Sequence, residues 1–201
     1  MYKHTSIIIL ALALVSSFSL AAQPIEEVQT TVEDVQIVAE DEGLLYMREE
    51  EKLARDVYLA LYEEWGARTF LNIAQAEQQH MDAVGALLEA RGIEDPVSGS
   101  AFGEFKNADL QALYTSLVGQ GMQSLPDAYR VGSTIEDLDI YDLKEFLSLT
   151  TDEAEIFVYT NLLRGSENHL RSFVKQLNRY NETYTALYIS EEELVSILSG
   201  R

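Results

Sequence analysis

The segment Glu77-Gln78-Gln79-His80 sets a carboxylate and an imidazole three residues apart. On a helix that spacing places both groups on one face. They complete the stripe Ile73, Glu77, His80, Val84, Leu87, whose alternating steps of four and three mark a buried seam. A buried ionised carboxylate is very costly unless it is paired or bound to a cation. The pattern therefore points to metal ligation, and it recurs on three further seams. Leu44, Met47, Glu51, Ala54, Tyr58, Leu61 and Trp65 are apolar or aromatic except for Glu51. Leu125, Tyr129, Gly132, Glu136, Asp139, Leu143 and Phe146 are broken by two acids. Tyr159, Leu162, Ser166, His169 and Phe173 are broken by a hydroxyl and an imidazole.

Four carboxylates (Glu51, Glu77, Glu136, Asp139) against two imidazoles (His80, His169) leave excess negative charge, which two divalent cations would neutralise. Carboxylate oxygen with imidazole nitrogen suits iron or manganese, with zinc possible. Glu51, Glu77 and His80 form one expected half-site. Glu136, Asp139 and His169 form the other, with Glu77 or Glu136 bridging. Tyr58, two turns after Glu51, is a candidate to hydrogen-bond a bound carboxylate or a metal-bound oxygen. A plainer reading stands beside this one. Glutamate is abundant in the chain, and Glu51 sits in the run Glu49-Glu50-Glu51-Lys52, where a charge run is usually a solvated face.

The elements that must position these groups are helices. The first is expected from Gly43 to Trp65, ending at Gly66, and the second from Thr69 to Arg91. A connection over 93–123 follows, with a short helical piece around Leu110 to Val118. The third long helix starts at the capping Ser124 with Pro126 in its first turn and runs to Leu147. The fourth follows a capping box at Thr150 and Glu153 and runs to Tyr180. Ser190 with Glu193 opens a short terminal helix, and "YTALYI" (184–189) is a weak strand candidate. Two hairpins joined by a long crossover between the second and third long helices have the ferritin-like four-helix topology. Other all-α bundles with the same number of helices fit the same pattern.

The chain has 201 residues, 47% of them hydrophobic, and a formal net charge of −20. Such a surface repels nucleic acid and anionic lipid and draws cations. With no cysteine, disulfides, thiolate metal sites and a cysteine nucleophile are excluded. Residues 1–22 read as a secretory signal peptide: Lys3, then the apolar run Ile7 to Val15, then small residues around Ala21 and Ala22. Residues 23–41 read as an acidic linker, and 42–201 as the helical domain. The expected protein is exported, periplasmic or extracellular, without membrane contact after cleavage, and monomeric or homodimeric.

"EKLARDVY" (Glu51 to Tyr58) resembles the first ligand helix of rubrerythrins, "EQQH" their second-helix motif, and "EDLD" (Glu136 to Asp139) a pair of acids three apart on their third. From about Gly43 onward the chain, with "LLYMREEEKLARDVY", "AEQQH", "VGSTIEDLDIYDL" and "RGSENHLRSF", resembles the ferritin-like family known as domain of unknown function 2202. The resemblance implies a ferritin-like bundle with a dinuclear metal motif and no known substrate. It also implies an E-x-x-H on the fourth long helix, and here the sequence departs: the position three before His169 is Ser166. Glu167 lies one residue away, rotated by about 100°. With iron, the expected chemistry is two-electron reduction of oxygen or peroxide coupled to iron oxidation. The alternative is a non-catalytic exported helical module with a degenerate site; an iron-storage cage is a third reading.

Overall fold

In the computed structural model, residues 32–200 are described, with side chains from residue 41 onward. The expected signal peptide and residues 23–31 of the expected linker lie outside them. Among the described residues there are six α-helices, a 3-10 turn and no strand: α1 (Val32–Trp65), α2 (Arg68–Arg91), α3 (Ala108–Gly121), α4 (Leu125–Leu149), α5 (Glu153–Leu177), the turn Asn178–Tyr180, and α6 (Glu191–Leu198).

Residues 32–41, expected in the linker, are instead helical and continuous with α1. That stretch lacks an apolar stripe, but adding residues to a formed helix needs no new nucleus. Acids near a helix start also complement its dipole. α5 begins under Asp152 rather than Thr150, with Asp152 accepting from the backbone N–H groups of Ala154 and Glu155. Thr150 instead caps Asp152 itself. Ser124 and Ser190 cap α4 and α6 as expected, accepting from Asp127 and Glu193. The weak strand candidate 184–189 is an irregular segment strapped to α4. Buried Asp137 accepts from the Tyr184 hydroxyl at 2.7 Å and from the backbone N–H groups of Leu187, Tyr188 and Ile189.

α1 packs against α2 and α4, and α5 packs against α2 and α4, so two helical hairpins lie side by side. α3 leans on α1 and α4. The core is not continuous. One apolar cluster contains Tyr58, Leu61, Phe70, Tyr129 and Phe173. The other contains Leu44, Met47, Val84, Leu88, Leu143, Tyr159 and Leu162. Along each of the four long helices the polar seam residues fall between members of the two clusters.

The run Glu49-Glu50-Glu51-Lys52 is not a solvated face: all four residues are buried. α1 is covered on several sides, so each side chain meets a different neighbour. Glu49 accepts from the backbone N–H groups of Lys106 and Asn107 at the start of α3. Lys52 pairs with Asp56 at 2.6 Å and donates to the carbonyls of Ala101 and Glu104. Glu51 turns to the interior.

Candidate metal centre

Glu51 on α1, Glu77 on α2 and Glu136 on α4 are each about 1% exposed. His80 on α2 and His169 on α5 complete two groups. In one, Glu51, Glu77 and His80 bring ligand atoms within 4.8 Å of one another; in the other, Glu77, Glu136 and His169 do so. Glu77 belongs to both. Its Oε2 lies 2.7 Å from His80 Nδ1 and its Oε1 lies 2.8 Å from His169 Nδ1. Glu51 Oε2 is 3.3 Å from His80 Nδ1, and Glu136 Oε2 is 3.5 Å from His169 Nδ1. The two imidazoles stack with centroids 5.6 Å apart.

Asp139 was expected beside Glu136 and His169. It is buried in the same layer but belongs to neither group. Its Oδ2 accepts a hydrogen bond from Ser166, while Oδ1 is buried without a hydrogen-bond partner. The same hydroxyl lies 3.0 Å from the Leu162 carbonyl, so its one proton is shared between the two acceptors. Glu167 does not enter the interior: it is partly exposed and lies 3.8 Å from Arg171, one turn along α5. Tyr58 donates to Glu136 Oε1 at 2.5 Å, across to α4 rather than along its own helix to Glu51.

The electrostatics follow from packing three glutamates around two imidazoles. Burial alone would raise Glu77, but His169 and His80 outweigh it and hold the carboxyl at about 2. Burial, with the repulsion of Glu77, pushes Glu51 and Glu136 up to about 7 against the attraction of their histidines. Burial opposes charge on the imidazoles, yet Glu51 and Glu77 push His80 up to about 12, and Glu77 and Glu136 push His169 up to about 10. Asp139 lies well above the usual carboxylate range, from burial and then the charges of Glu51 and Glu136. Protons thus offset part of the negative charge that the three glutamates bring into the interior. The layer extends past Asp139 to Glu50, raised by burial and by Asp142 and Asp139. Neither Glu50 nor Asp142 stands on a polar break in a seam, so periodicity does not single them out.

Periodicity also passes over Gly165 on α5. A Cβ built there would lie 2.6 Å from both Cε1 and Nε2 of His80. The available signal is a glycine inside a helical pattern, which costs about 1 kcal/mol against alanine and so asks for a packing reason.

Residues 40–201 match the family described as an uncharacterized protein domain, DUF2202. The chain belongs to this family. The uncharacterized protein MJ0754 of Methanocaldococcus jannaschii is 51% identical over 182 residues, covering 90% of this chain and 92% of that protein. The crystal structure of hypothetical protein MJ0754 matches with a TM-score of 0.78 at 50% identity, covering 90% of this chain and 98% of that one. This family member and its relative thus share a fold across nearly their whole lengths, and neither the family's description nor the relative's states an activity.

Proposed function

We propose that this chain is an exported ferritin-like protein holding two divalent metal ions, iron foremost, with manganese or zinc as alternatives. Glu51, Glu77 and His80 would hold one ion, and Glu77, Glu136 and His169 the other. The observation that carries the reading is Glu77: one fully buried carboxylate presents an oxygen to each of two imidazoles, with a further glutamate flanking each. The donor set fits. Hard oxygen and imidazole nitrogen suit these metals, and buried oxygens without hydrogen-bond partners remain on Glu51 and Asp139. The two hairpins and the long connection 92–124 support the ferritin-like arrangement.

Bound iron would supply two-electron chemistry toward oxygen or peroxide, coupled to ferrous oxidation. The chain's own contribution is orientation, dryness and proton placement. Glu77 fixes the Nδ1 edges of both rings. Tyr58, itself buried, holds Glu136 through its hydroxyl proton. Phe70 and Phe173 pack around Tyr58 and exclude water from that side.

Anaerobic loading of the mature protein with ferrous iron tests this. Two ions per chain are expected. Binding well below one per chain would end the reading, and binding retained after Glu77→Ala with His80→Ala would end the residue assignment. A second reading, a non-catalytic module with a degenerate centre, is favoured by one observation: Ser166 stands where a further ligand would complete the second group and bonds Asp139 instead. That reading expects no thermal shift with iron or manganese.

A further inference from the structure

The geometry assigns Gly165 as a positioning residue for the His80 ring; this rests on the metal-binding reading above. His80 Nδ1 faces Glu77 and Glu51. The adjoining edge of the ring, Cε1 and Nε2, lies against the α5 backbone at Gly165, where a Cβ would come within 2.6 Å of both atoms. The same Cβ would be 3.9 Å from His169 Cε1, an ordinary contact. The absence of a side chain at 165 therefore concerns one imidazole and not the other. To regain an ordinary separation of 3.4 Å or more, the His80 ring would have to leave its seat by most of an ångström. Its Nδ1 would then leave the common point defined with Glu51 and Glu77. Gly165 is helical with no positive φ, so backbone freedom does not explain it. The helix gives up about 1 kcal/mol of intrinsic preference there, and the close approach is the local feature that accounts for it.

Gly119 on α3 provides the control, since a Cβ there would meet nothing within 4 Å. Gly165→Ala and Gly119→Ala should both gain helix propensity. Only Gly165→Ala should move the imidazole nitrogen and proton NMR signals of His80 in the metal-free protein, leaving those of His169 nearly in place. Under anaerobic ferrous iron, Gly165→Ala should weaken one of the two binding events by about 10- to 100-fold, the range for groups that orient a ligand, and Gly119→Ala neither. Unchanged His80 signals in Gly165→Ala would overturn the assignment, as would wild-type iron affinity at both positions. If Gly165→Ala fails to fold, Gly165→Ala combined with His80→Ala should fold, because the colliding ring is gone; failure of that double variant would overturn the assignment equally. Wild-type protein that binds no iron would refute the metal reading alone, since the metal-free NMR response still reports on Gly165.

Discussion

Glu77 is the residue on which both imidazoles converge, and its substitution separates the charge of the centre from its shape. Glu77→Gln keeps the volume but removes the charge that both histidines share. His80 and His169 should then titrate below their present values of about 12 and about 10, each retaining only its flanking glutamate. Histidine NMR titration of the metal-free variant checks this, and on the proposed metal reading iron stoichiometry should fall from two toward zero. Tyr58→Phe removes the donor to Glu136 inside the core. A buried acceptor left without its partner costs about 1–3 kcal/mol. Urea unfolding of the metal-free variant should show that loss with little change in the slope.

At the scale of elements, α1 and α4 carry polar groups that organise their neighbours. Lys52 and Asp56 are buried together and hold the connection 101–104 against α1, with Gly103 N–H donating to Asp56 at 2.9 Å. Breaking a buried pair by removing one partner costs about 3–5 kcal/mol. Lys52→Met should destabilise by that amount, read from the urea midpoint, and leave the buried cluster of Glu51, Glu77, Glu136 and the two histidines intact. Asp137 does for the C-terminal segment what Lys52 does for the connection. Asp137→Ala should release 184–189, and limited proteolysis should cut there before the rest of the domain unfolds.

For the whole molecule, the protonation of the centre sets the pH dependence of the metal-free protein. Glu51 and Glu136 are raised from 4.5 to about 7, so the folded state binds more protons and stability falls as pH rises through that window. His80 and His169 contribute stability that is complete below 6.5 and is lost as pH rises through about 10 and about 12. Glu77, held at about 2, contributes stability present above 4.5 and lost only in strong acid. Metal-free protein should therefore unfold at lower urea at about pH 8 than at about pH 5. On the proposed metal reading, a ligated ion would reverse the sign, because protons and cations compete for the same atoms. The melting temperature gained with ferrous iron should grow over the same rise in pH, as native-state binding requires.

The helices, their order and the polar breaks in their seams were legible in the sequence, because a buried face repeats at helical spacing and ionisable groups on it stand out. Glu51, Glu77, His80, Glu136 and His169 were reached that way, and they lie together. What periodicity along one helix cannot carry is the direction of approach of another. Hence the seam places Asp139 beside the other acids, and only packing brings Ser166 on α5 to its Oδ2. Periodicity buries Glu51 alone of the run 49–52, and the burial of Glu49 and Lys52 comes from α3 and its connection. Gly165 had no role until α5 was laid against His80. Seam patterns decide which face of a helix is buried, but only packing between helices decides which side chain meets which, because those contacts join residues distant in the chain.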